Sequence, residues 1–213
     1  MTSYTYDPRL RGGAGGYRDD SNGRIVPLAE ARDALDRTLQ NAEDPIRALF
    51  EQIRERRISL ADWQLQMREL TKNAHISAAV TARGGFDQMS QADWGRVVQR
   101  IRNQYEFLDN FAQQIASGQQ PLDGRTLLRM QMYQDSAIET YLIFENRQMT
   151  NAGFNEERSV LDSKAQHCGD CPTEAAKGWV PIGTLIPIGQ RQCLTRCRCT
   201  MEYRNTALGV VVR

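Results

Sequence analysis

The residues of this chain best equipped for chemistry are its five cysteines, all close to the C-terminal end. Cys168 and Cys171 form a C-x-x-C pair within His-Cys-Gly-Asp-Cys, and Cys193, Cys197 and Cys199 form a C-x3-C-x-C group after a gap of 21 residues. A thiolate can attack, carry electrons or bind a soft metal, and the spacing bears on which. Two close thiol groups about twenty residues apart have the spacing of a structural zinc ribbon or knuckle: each tight turn offers two thiolates, and the segment between folds back to complete a tetrahedron. Five thiols compete for the places on one tetrahedral ion, and His167 is a further donor. The favoured set is Cys168, Cys171, Cys193 and Cys197. Cys199 is a spare or a substitute for Cys197, because in extended strand these two lie on one side about 7 Å apart, awkward for ligands of one ion. Disulfides and unpaired buried thiols stay open as alternatives, although a reducing cytoplasm favours zinc.

The enzymatic readings of the same residues are thinner. A thioredoxin-like centre needs a strand before Cys-Gly-Asp-Cys and a helix after it in a βαβ unit, whereas Pro172 and the polar Thr-Glu-Ala-Ala-Lys-Gly-Trp allow only a turn or two of helix. Zinc catalysis needs an open coordination position and a base such as Glu174, and thiolate-rich sets are normally closed. His75 reads as a helix-surface residue, and no Ser-His-Asp set, paired carboxylates or phosphate-binding loop stands out. No catalytic residue is assigned, and the expectation is a protein that is not an enzyme.

The elements that must hold these groups divide the chain into three parts. Residues 1–27, with scattered Gly, Pro, Tyr and Arg and no apolar period, read as an extended arm, either a disordered tail or one that orders against a neighbouring subunit with its Tyr and Arg as anchors. Residues 28–152 read as helical. Leu28, Ala31, Leu35 and Leu39 mark one stripe; Ile46, Leu49, Phe50 and Ile53 mark another behind Asp44 and Pro45. Ser-Leu-Ala-Asp-Trp at 59 and Ser-Gln-Ala-Asp-Trp at 90 look like two capped starts, and the second opens a stripe through Trp94, Val97, Val98, Ile101, Tyr105, Leu108, Phe111, Ala112 and Ile115. One long last helix is expected from Gly124 to Thr150, with Leu127, Met130, Tyr133, Ala137, Tyr141 and Phe144 inward. Residues 153–213 change character, with β-type runs at 159–161, 179–182, 200–203 and 210–212. The fold class is therefore mainly α: an elongated antiparallel helical body, an N-terminal arm and a small Cys-rich, zinc-knuckle-like β unit.

Composition narrows the partners. With 27 basic and 26 acidic residues the formal net charge is +1, so nothing in the total calls for a polyanion. Nucleic acid is unsupported by it, not excluded. Apart from Lys72, Lys164 and Lys177 every basic residue is arginine, which suits protein interfaces, though a GC-rich genome gives the same bias. No apolar run of roughly eighteen residues exists and the N-terminus lacks a secretory core, so membrane residence and export are not expected, and synthesis in a cytoplasm is.

Taken together, His-Cys-Gly-Asp-Cys at 167–171, Gly-Trp-Val-Pro-Ile-Gly-Thr-Leu-Ile-Pro-Ile-Gly at 178–189 and the closing Cys-Leu-Thr-Arg-Cys-Arg-Cys-Thr-Met-Glu-Tyr at 193–203 resemble the C-terminal signature of tailed-phage minor head, or head morphogenesis, proteins, a group related to the minor head protein of phage Mu. The helical stretches at 58–67, 75–85 and 92–115 are similar to these proteins too, so the resemblance spans about residues 28 to 205. It implies a virion structural protein made in the host cytoplasm, present in few copies at the portal vertex, touching portal or major capsid subunits or its own copies in a ring, with no active site. It also implies Cys193 as a ligand, since relatives carry histidine there. The chain departs in its bulkier Leu-Ile-Pro-Ile-Gly turn and lacks the appended enzyme domains of some relatives. A zinc-ribbon nucleic-acid-binding protein is the alternative, on the strength of Arg191, Arg196, Arg198 and Arg204 among the cysteines.

Overall fold

In a computed structural model of the protein, residues 4–7, 9–10, 16–40, 43–194 and 197–212 are described, without the side chains of residues 29, 36, 38 and 40. The chain gathers into two compact units that do not follow the boundaries expected at 28 and 153. One comprises Met1–Ala34, Ala79–Met89 and Ile138–Arg213; the other comprises Leu35–Ala78 and Ser90–Ala137. Long helices are the physical reason: a helix running past one core supplies its far turns to a different one.

The second unit is helical and apolar. Helix α2 (Glu43–Arg54) buries Ile46, Leu49, Phe50 and Ile53, the stripe legible in its sequence. Helices α3 (Leu60–Arg83) and α4 (Gln91–Ala116) both start on the expected serine: Ser59 Oγ accepts from Asp62 N at 3.0 Å, and Ser90 and Asp93 form a reciprocal capping box. Trp63, fully buried, meets the edge of Phe111 at 5.4 Å, and Phe111 stacks on Tyr133 at 5.9 Å with Arg129 over it at 4.1 Å. Each such ring is worth about 2–3 kcal/mol of burial, so this cluster carries the unit. Val98 departs from the expected stripe and is exposed.

The single helix expected over 124–150 is broken into α5 (Gly124–Asp135) and α6 (Ala137–Asn151) at Ser136. His75, expected on a helix surface, is 1% exposed and lies against that break, its Nε2 3.1 Å from Ser136 Oγ. Ser136 Oγ donates to Tyr133 O at 2.7 Å, so the imidazole N–H donates to the hydroxyl. That polarity fastens a helix break; it does not activate a serine.

The first unit carries the sheets. The described residues of the expected arm fold back on their own chain: β1 (Tyr4–Asp7), β2 (Gly16–Asp19) and β3 (Ile25–Val26) form an antiparallel sheet in that order. Tyr6 and Tyr17 pack edge to face, Tyr17 donates to Ala82 O at 2.8 Å, and Tyr6 N donates to Gly84 O. Gly84, at φ +80°, is required there because a Cβ would sit 2.4 Å from the Tyr6 backbone. Tyr6 and Tyr17 thus make their contacts within the chain.

After helix α1 (Leu28–Gln40) has supplied Arg32, and α6 Glu145, the C-terminal sheet is built in the order β5-β4-β6-β7 from β4 (Glu156–Val160), β5 (Val180–Pro181), β6 (Thr200–Asn205) and β7 (Val210–Val212), with the short helix α7 (Asp170–Ala176) between β4 and β5. One face presents Glu157, Ser159, Met201 and Tyr203, all buried; the other presents Glu156, Arg158, Glu202 and Arg204. Tyr203 Oη lies 2.9 Å from Glu145 Oε2, whose carboxylate also accepts Arg32 Nε at 2.8 Å. Mostly helical, with small sheets and a cysteine cluster near the C-terminus, the molecule matches the coarse expectation. Among the described residues no helix is long and apolar enough to cross a membrane.

Candidate metal centre

The cysteines of both groups converge. Cys168 precedes α7 and Cys171 lies in its first turn, while Cys193 stands in a tight turn in which Leu194 N donates to Arg191 O at 2.7 Å. Cys171 Sγ lies 3.5 Å from that of Cys168 and 3.6 Å from those of both Cys193 and Cys197. A zinc–thiolate tetrahedron with bonds of about 2.3 Å has edges of about 3.8 Å, and a disulfide holds its sulfurs at about 2.05 Å. The observed separations sit just under the tetrahedron edge and far beyond a bond; all five thiols are free. The donor set and its spacing therefore fit a tetrahedral, thiophilic ion.

Electrostatics point the same way. Desolvation opposes ionisation of Cys168, but the backbone N–H groups of Cys171 and Cys193, with the thiols of both, hold it down to about 7. Burial, reinforced by neighbouring thiols, pushes Cys171 and Cys193 up and Cys199 up to about 12. Thiols this crowded cannot all ionise beside one another without a cation to stabilise them.

Cys199 is closer to the centre than its sequence position implied. Residues 197–199 are not in β6, which starts at Thr200, so the strand geometry that separates alternate side chains does not apply. Cys199 Sγ lies 3.8 Å from His167 Nδ1. Cys168, Cys171 and Cys193 form one group of donors within 4.8 Å of one another, and His167, Cys171 and Cys199 form a second.

The supporting residues were mostly invisible in sequence. Glu157 Oε1 accepts the N–H groups of Gly183 and Leu185 at 2.9 and 3.2 Å, and Glu174 Oε2 accepts that of Ile186 at 2.9 Å. Asp170 Oδ2 accepts Gln192 N at 2.8 Å, tying α7 to the turn that carries Cys193. Arg191, fully buried, donates to Ile186 O and to Ser159 Oγ, both at 2.9 Å. Glu174, the base a catalytic zinc site would draft, is buried and paired with Lys177 at 2.7 Å. Nothing in their spacing marked these residues in advance.

Two of the arginines offered for nucleic acid are committed within the chain: Arg191 as above, and Arg204 to Glu156 and the face of Trp179. Arg196 lies outside the described residues. The sheet before Cys168 is antiparallel, and residues 161–167 form no strand, so a thioredoxin-type βαβ frame is not present among the described residues. Comparison with known protein families, with curated proteins and with solved structures finds no match to this chain.

Proposed function

We propose that this protein is a structural component of a tailed-phage head: a minor head protein that touches portal or major capsid subunits while the head is built, associates with its own copies in a ring, and works by contact, not by chemistry. The observation that carries the reading is the joint signature. C-x-x-C, Gly-Trp-Val-Pro and a closing Cys-Arg-Cys stand in one chain, and their thiols meet at one centre. Zinc bound there closes the loops that join β4, α7, β5 and β6, tying together segments that have no regular helix or strand of their own. The outer sheet face suits contact: Arg158 and Arg204 each lie 4.7 Å from the ring of Trp179, which is half-buried, and arginine and tryptophan are enriched in interface centres.

Mass spectrometry of purified particles and of assembly intermediates tests the proposal, together with co-purification on a tagged portal protein of the same particle. The expected result is a few copies per head and retention on portal. Absence from both particles and intermediates overturns it. Retention on DNA that falls steeply as salt rises marks the nucleic-acid reading instead.

A further inference from the structure

We propose that the cysteine-rich unit holds two metal ions, bridged by the thiolates of Cys171 and Cys197. This rests on reading the site as a metal centre and goes beyond it in number and connectivity. A single four-coordinate ion uses Cys168, Cys171, Cys193 and one more donor, leaving His167 and Cys199 or Cys197 without a role. Yet two triads of mutually close donors are present, Cys168/Cys171/Cys193 and His167/Cys171/Cys199, and Cys171 belongs to both.

His167 is set as a ligand is set. Its Nε2 lies 2.9 Å from the carbonyl oxygen of Asp162, which can only accept, so Nε2 carries the proton and Nδ1 presents its lone pair toward Cys199 Sγ. Metal-bound imidazoles are held in this manner, one nitrogen on the ion and the other donating to a backbone carbonyl. Cys197 completes the count. Its thiol is 3.6 Å from that of Cys171 and within reach of those of Cys193 and Cys199, one from each triad. The five thiols and the imidazole fill two four-coordinate shells only when two of them bridge; Cys171 belongs to both triads, and Cys197, a member of neither, lies against Cys171 and interacts with Cys193 of one and Cys199 of the other. Charge agrees: five thiolates around one divalent ion leave a large negative charge where Cys171 and Cys199 are buried, and a second ion cancels most of it.

The test uses the whole protein, purified under reducing conditions with zinc and exhaustively exchanged into metal-free buffer. Native mass spectrometry and elemental analysis are expected to give two zinc ions per chain, with one lost in the double variant His167→Ala, Cys199→Ser. One ion in the native chain overturns the proposal while leaving the single-ion site standing, and none overturns both. Because the variant can fail to fold, the native protein is also loaded with cadmium-113. Two resonances coupled to each other through a shared thiolate are expected; one resonance, or two without coupling, rejects the bridge.

Discussion

The helical unit around Trp63 and the unit that holds the cysteines are stabilised by different physics. The first buries Trp63, Phe111, Tyr133, Met67, Leu108 and Met130 in one continuous cluster, so its contacts are many, apolar and interchangeable in kind. The second buries Glu145, Glu157, Glu174 and Arg191 beside its apolar residues, holds Arg32 half-buried against Glu145, and joins segments by single, directional bonds. Burial of apolar area degrades gradually as atoms are removed. A directed polar or metal contact is present or it is not, and its loss leaves an unsatisfied group behind. The two units should accordingly fail in different ways.

On the proposed metal-centre reading, chelation should separate them most. Chelation, or Cys171→Ser, is expected to melt the loops over 161–199 while leaving most helical circular dichroism intact, since structural zinc contributes an apparent ~10–16 kcal/mol to folding of small sites. Limited proteolysis checks this, with cleavage expected to appear first around 161–199. Uniform loss of helix on chelation would erase the distinction between the units. Acid should do the same more gently, because protons compete with metal for the thiolates: metal content measured against pH is expected to fall before helical signal does.

Core truncation probes the other unit. Trp63→Ala is expected to cost about 3–5 kcal/mol, read as a drop in the denaturation midpoint without change in bound metal. Glu145→Ala should cost a similar ~3–5 kcal/mol in the cysteine-bearing unit by leaving Arg32 without its carboxylate partner. A loss well under 1 kcal/mol for Glu145→Ala would mean that its directed bonds matter less than the comparison requires.

Two carboxylates sharpen the contrast through pH. At Glu157 burial dominates and raises the pKa despite the N–H groups of Leu185 and Gly183; at Glu174 desolvation is outweighed by Lys177 and Ile186 N, and the pKa is lowered. A raised folded pKa contributes stability below the unfolded value that is lost as pH rises through the folded one; a lowered one contributes stability above the unfolded value that is lost as pH falls. At neutral pH, Glu157→Gln is therefore expected to be neutral or mildly stabilising and Glu174→Gln destabilising, by chemical denaturation at several pH values. Equal losses from both would reject these assignments.

The same contrast explains what could be read in advance. Ile46, Leu49, Phe50 and Ile53 repeat at helical spacing, so both the helix and its buried face were legible. Strand β4, Glu-Glu-Arg-Ser-Val, has no apolar alternation, because its buried face is made of Glu157 and Ser159, whose partners lie 11 to 32 residues away. The cysteine cluster was visible as spacing, but Cys199's place in it depends on a loop conformation that spacing does not encode. The helix break at Ser136 depends on His75, 61 residues off. Periodic, local physics was readable; single contacts across long separations were not.

The smallest expected effect tests the local end of that scale. Ser59 and Ser90 stand three residues before Asp62 and Asp93, and sequence alone treats them as equivalent caps. Ser90 Oγ accepts Asp93 N at 3.2 Å while Asp93 Oδ2 returns a bond to Ser90 N at 3.1 Å, and Asp93 is 1% exposed. The Ser59–Asp62 pair is exposed, where water can replace either partner. Ser90→Ala is thus expected to cost about 1–2 kcal/mol and Ser59→Ala about 0.5–1 kcal/mol, compared by urea denaturation of each variant. The hydroxyl at 90 leaves a buried carboxylate short of a donor when it is removed, and the one at 59 does not, so an equal loss at the two sites would mean that burial adds nothing to a cap.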